Sequence, residues 1–221
     1  MKIEIRQIAY TVVLFAAALI VPSASAGIIQ PTATLPPTAG FYALADTCIA
    51  PICLANITIG NFVVLVSMIS GGDQLTESNV TLNADGFQNI SGTPGASLGH
   101  IVLTGQIDIS YFGRSSPTML GTFNAEITDL DISGTFNGHT AVAHLNAANP
   151  STGVTTVSRV GDDFVIDSFF DVFAELSVDG GPFIPGPPRH ADLAAVPEPG
   201  TLGLVTVAFC VAASWKRFRR A

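Results

Sequence analysis

The sequence predicts an all-β protein body, an antiparallel β-sandwich or jelly-roll-like domain, from three observations. Apolar and polar residues alternate with period two along several segments, which is the signature of half-buried strands. Turn-forming clusters of Gly, Asn, Asp, Ser and Pro punctuate those segments at short intervals. Helical periodicity is thin, with Ala141 to Ala148 the one modest candidate in the body. Many short strands and few helices make a sandwich or a barrel the economical way to bury the apolar faces.

The elements follow in order. Ile28 to Thr38 is rich in proline and small residues and reads as a lead-in loop or extended edge. Ile57-Thr58-Ile59 and Phe62 to Ile69 are β-branched strand segments bounded by Gly60-Asn61 and Ser70-Gly71-Gly72-Asp73. Val80-Thr81-Leu82 leads to an expected turn at Asn83-Ala84-Asp85-Gly86, and Ser91 to Gly99 reads as a loop. Leu103, Gly105, Ile107, Ile109 and Tyr111 share one strand face, and Leu130, Ile132 and Phe136 alternate with Asp129, Asp131, Ser133 and Thr135. From Phe164 to Asp179 the inward row is Phe164, Ile166, Ser168, Phe170, Val172, Ala174, Leu176 and Val178. The Gly/Pro stretch from Gly180 to Pro188 reads as the domain end, and residues 189–195 as a linker. An immunoglobulin-type domain is disfavoured, because the one tryptophan lies near the C-terminus, outside any core strand.

With 48% hydrophobic and 12% charged residues, the chain can bury a core. Between Gly27 and Ala195 lie all but two of the 17 acidic residues, against Arg114, Arg159 and Arg189 and no lysine. A surface of that sign repels phosphate backbones, which excludes nucleic acid as an expected partner.

Both ends carry addressing features. Lys2 and Arg6 precede an apolar run from Ile8 to Val21 and the small-residue site Ala24-Ser25-Ala26, the layout of a cleavable signal peptide over residues 1–26. At the other end, Val196-Pro197-Glu198-Pro199-Gly200 precedes an apolar run from Thr201 to Trp215 and the basic tail Lys216, Arg217, Arg219 and Arg220. As a transmembrane helix, 201–215 would rise about 22 Å, short of the roughly 30 Å of hydrocarbon. Snorkelling of Lys216 and Arg217 and local thinning can close that gap. The basic tail places this end in the cytoplasm and the body outside it.

Residues 196–221 closely resemble the PEP-CTERM sorting segment of exported proteins of Gram-negative bacteria: a Pro-Glu-Pro motif, a short transmembrane helix and an arginine-rich tail. The resemblance implies recognition by a membrane-embedded exosortase, with Pro197, Glu198 and Pro199 as the sorting motif. It also implies cutting at or near that motif, then release to the cell surface or the extracellular matrix. A weaker similarity to other such proteins covers Asp167 to Pro185 and supplies no activity. The plain alternative is a stop-transfer anchor in which the motif is coincidental.

Other residues invite chemistry. Cys48 and Cys53, in an exported chain, are expected to form a disulfide, with a metal or redox role and free thiols as alternatives. Gly95-Ala96-Ser97-Leu98-Gly99 matches a hydrolase nucleophile motif, but the expected strand follows the serine instead of preceding it. His139 and His144 are five apart and cannot converge from one strand face. No cofactor or metal site is expected, although the acidic loops leave Ca²⁺ open. The expected reading is an exported, non-enzymatic surface or matrix protein. Signal peptidase and exosortase are its expected processing enzymes, the membrane its contact before processing, and extracellular polysaccharide its matrix partner. A secreted carbohydrate-binding module or hydrolase with the same sorting tail is the competing reading.

Overall fold

A computed structural model describes residues 27–195. The signal-cleavage residues Ala24 and Ala26, the motif Pro197, Glu198 and Pro199, and the basic residues Lys216, Arg217, Arg219 and Arg220 lie outside the described residues. The described chain is all-β and antiparallel. Its strands are β1 Ile28–Gln30, β2 Gly40–Leu44, β3 Thr47–Ile49, β4 Ile52–Ser70, β5 Asp73–Ile90, β6 Thr93–Tyr111 and β7 Gly121–Phe136. They continue with β8 His139–Leu145, β9 Ser151–Val160, β10 Asp163–Val172, β11 Ala174–Val178, β12 Ile184–Pro185 and β13 Arg189–Ala195. Among the described residues no helix is long and apolar enough to cross a membrane.

Local chemistry sets the long hairpins. Gly71-Gly72, Ser91-Gly92 and Asn137-Gly138 each place two successive residues at positive φ. That geometry matches the twist of the flanking strands in two-residue hairpin loops, and glycine adopts it without steric cost. These turns join β4 to β5, β5 to β6 and β7 to β8, and with the longer β6–β7 connection the five strands pair consecutively. The sheet also closes on itself, since β7 pairs β9, β9 pairs β10, β10 pairs β13, β13 pairs β2, and β2 returns to β4. Closure removes most sheet edges from solvent.

The inward rows fill the enclosed space. One half is aliphatic, with Leu54, Leu82, Leu103, Ile132 and Leu176 in a single apolar cluster. Toward the other end the lining turns aromatic and polar. Tyr42 packs edge-on against Phe62 and Phe170, at 5.8 and 5.5 Å between centroids. Its hydroxyl donates to Ser168 Oγ at 3.1 Å, and Ser168 in turn bonds Thr155 at 2.7 Å. Burial pushes the Tyr42 phenol well above its ordinary range.

The alternation points inward as expected from Ile166 to Val172, with Ile166, Ser168, Phe170 and Val172 buried, but the strand breaks at Phe173, and beyond it Leu176 and Ser177 are both buried, against the expected outward position of Ser177. Four further local expectations are corrected. The stretch Ala141 to Ala148 is not helical: β8 occupies its first part, with Ala141 and Ala143 facing the core. The expected turn at Asn83-Ala84-Asp85-Gly86 lies inside β5, where Ala84 and Gly86 face inward and Asn83 and Asp85 outward. Most of Ser91 to Gly99 is the first part of β6, held by pairing with β5. The expected linker at 189–195 is β13, which bridges β10 and β2 with Ala191 and Leu193 in the core. In each case long-range pairing outweighs local propensity.

Cys48 and Cys53 form a disulfide, facing each other across the β3–β4 hairpin with Cα atoms 3.9 Å apart. Closing so small a loop contributes about 2 kcal/mol in the chain-entropy account.

Candidate functional site: an acidic groove where the sheet divides

The strand β7 changes partners midway. Residues Gly121 to Ile127 pair with β9, whereas Asp131 to Phe136 pair with β8. Between them the ladder with β6 slips at Asp108/Ile109, and both Thr128 and Asp129 face solvent before inward alternation resumes at Leu130. Bulges of this kind re-aim side chains and interrupt pairing. The parting strands leave a surface groove of about 510 Å³ floored by β7 and walled by the β8–β9 connection. Its polar lining includes Glu126, Asp129, Asp131, His144, Asn146 and Asn149.

Cross-strand register builds the acidic surface around it. Glu77, Asp108 and Asp129 form one row across β5, β6 and β7. Burial first, then the Glu77 and Asp129 carboxylates, push the Asp108 carboxyl above its ordinary range. A second row runs from Gln106 through Asp131 and His144 to Glu175. Within it His144 Nε2 lies 3.2 Å from Asp131 Oδ1, and the imidazole stacks on Phe183 with centroids 4.6 Å apart. Carboxylates and amides beside a stacked aromatic pair can exchange hydrogen bonds with a hydroxyl-rich ligand and cover one of its apolar faces.

At Ser97, whose motif already has the strand on the wrong side for a hydrolase, no histidine among the described residues is paired with the hydroxyl. Its Oγ accepts from the Gly99 N–H at 3.1 Å, and the His100 ring instead lies 3.4 Å from Asp85. Among the described residues no group of three or more His, Cys, Asp or Glu side chains is arranged to hold a metal ion. A second, interior cavity of about 80 Å³ is lined almost wholly by apolar side chains such as Leu54, Leu82 and Val172.

Each of the four histidines meets an aspartate from a paired strand or an adjoining turn. Besides the two pairs above, His139 lies 2.7 Å from Asp179, and His190 lies 2.7 Å from Asp171 and 3.2 Å from Asp192. The bond to Asp171 leads in raising the His190 pKa above the ordinary 6.5, and Asp192 adds to it. Because the folded-state value is the higher one, this stabilisation is complete below about pH 6.5 and fades as pH rises through the raised value. His190→Asn is expected to flatten the fall in urea midpoint over that window while leaving the high-pH midpoint near wild type.

None of these partnerships was visible in the sequence, where the aspartates are scattered. Asp129 and Asp131 alone were legible as sharing one strand face. Comparison with protein-family models, with curated proteins and with solved structures gives no match to this chain.

Proposed function

We propose that this chain is an exported, non-enzymatic surface or extracellular-matrix protein, delivered by a signal peptide and sorted by an exosortase through its C-terminal segment. The observation that carries the reading is the sequence of that segment, Pro197-Glu198-Pro199, an apolar run and a basic tail. The Cys48–Cys53 disulfide supports export, because such bonds persist in oxidising compartments. The finer architecture is read as a jelly-roll-like body in which opposed sheet segments are joined into one closed ladder. Its last strand ends at Ala195, so a cut at the motif would leave that ladder whole. Replacing Pro197, Glu198 and Pro199 with alanine is expected to hold the protein in the membrane fraction at unprocessed length. Unchanged release of that variant sinks the sorting assignment.

A second reading, a carbohydrate-binding module for a neutral extracellular polysaccharide, draws support from the groove on β7. Neutral glycans suit its carboxylates better than acidic ones, which those carboxylates repel. Asp131→Ala with Phe183→Ala is expected to cut retention on a neutral polysaccharide column about tenfold, the loss of roughly 1.4 kcal/mol. Equal retention of wild type and variant dismisses the groove as a glycan site.

A further inference from the structure

Apolar surface gathers at one end of the body. The β4–β5 hairpin extends there past β2, since β2 pairs β4 only as far as Gly60, while β6 accompanies β5 as far as Gln74 and leaves the far edge of β4 free from Asn61 onward. Residues Asn61 to Ser70 include no charged side chain, and Leu65, Met68 and Ile69 are exposed. The connection from β6 to β7 lies against the same tip, where the Gly113 N–H donates to Asp73 Oδ1 at 2.7 Å. It adds exposed Phe112 and Leu120. The β9–β10 turn brings exposed Val160 to this end as well. Exposed apolar side chains gathered at one end in this way point to a contact with a partner or a membrane.

The described chain also leaves the body at this end. Ala195 pairs with Gly40, and the adjoining Phe41 pairs with Gly60, so the exit point stands level with the base of the projecting hairpin. Only Val196 to Gly200 separates that point from the apolar run beginning at Thr201. From Ala195 to Thr201 the chain spans at most about 21 Å, and the hairpin beyond Gly60, which opposes Thr81 to Asp73 on β5, extends about 27 Å at the strand rise. The spacer and the reach of the hairpin beside it are therefore of comparable length. With Thr201 to Trp215 in the bilayer, so short a spacer holds the apolar end of the body close to the membrane surface.

From this geometry we infer that the apolar end of the body, the β4–β5 hairpin with the β6–β7 connection, docks on the outer surface of the lipid bilayer while the chain is anchored. The inference rests on the reading of 201–215 as a membrane anchor. Contact is with the headgroup layer, because the free edge of β4 carries backbone groups that must remain hydrated. Asp73 and Asp162 near the tip favour a neutral lipid surface over a strongly anionic one. Docking holds the body in a fixed orientation and keeps Pro197-Glu198-Pro199 in the interfacial zone, within reach of a membrane-embedded processing enzyme.

The test uses the full chain in phosphatidylcholine vesicles with brominated acyl chains, reading tryptophan emission. Native Trp215 reports the anchor. In a Trp215→Phe background, Met68→Trp and Leu120→Trp report the apolar end, and Ile90→Trp reports the opposite hairpin tip. Met68→Trp and Leu120→Trp are each expected to lose about half their emission, as for rings about 5–10 Å into the headgroup–acyl boundary, with Ile90→Trp unquenched. Quenching of Trp215 without quenching at positions 68 and 120 overturns the docking and leaves the anchor standing. An unquenched Trp215 overturns the anchor itself. Shielding of position 68 from bromolipid and aqueous iodide alike assigns the hairpin edge to a second copy of this chain and overturns the lipid assignment.

Discussion

Ending the chain at Pro188 instead of Ala195 is expected to abolish cooperative folding of the body. Residues 189–195 form β13, the strand that joins β10 on one side to β2 on the other. Without it two ladders open at once, and the backbone groups of β2 and β10 that faced it lose their partners. Ala191 and Leu193 also leave the core, and removal of Arg189 frees the Thr47 hydroxyl it bonds at 3.0 Å. Together these losses are comparable with the whole stability of a domain this size, about 5–15 kcal/mol. A chain ending at Ala195 retains every described strand and is expected to give a single, reversible urea transition. A sigmoidal transition from the chain ending at Pro188 would contradict the closed ladder.

Arg114→Ala is expected to cost about 4 kcal/mol, combining a cavity with stranded acceptors. The side chain is fully buried, and among the described residues none of its hydrogen-bond acceptors is a carboxylate. Its guanidinium donates to Gln74 Oε1, to the Ala33 carbonyl at 2.7 Å and to the Pro117 carbonyl at 2.6 Å. It also lies 5.8 Å from the Phe123 ring centroid. One cation thereby ties the segment before β2 and the β6–β7 connection to the inner face of β5. Burial lowers its pKa from the usual arginine range, the Tyr111 phenol opposing that. Arg114→Met, which fills most of the volume but donates nothing, is expected to recover part of the loss. The measurement is the urea midpoint at constant m-value. A loss below about 1 kcal/mol for Arg114→Ala would place the energy of this end in its aromatic packing instead.

The sequence was most readable where one strand carries its own signal. The inward row from Ile166 to Val172 and the turn at Gly71-Gly72 needed only local information, period two in one case and conformational freedom in the other. Readability failed where a partner strand decides. Asn83-Ala84-Asp85-Gly86 has turn chemistry, yet β4 and β6 flank it on both sides and draw it straight. Residues 189–195 follow a Gly/Pro stretch and resemble a tether, but their alternating Ala191 and Leu193 fit a slot between β10 and β2. The candidate groove depends on a bulge in β7 and on a change of partner, neither of which leaves a mark in local composition. The buried role of Arg114 was equally hidden, because its acceptors are an amide and two carbonyls distant in sequence.

Under the proposed function, the exported, sorted product is the closed β-body, which includes every described strand through Ala195 and is severed from the segment that follows. The direct test is the intact mass of the protein from its native cells, with membrane and external fractions measured separately. The expected external species begins at Gly27, ends within or next to Pro197-Glu198-Pro199 and carries the Cys48–Cys53 disulfide. A membrane-bound species retaining Ala221, with no external product under conditions where other such proteins are processed, would contradict it.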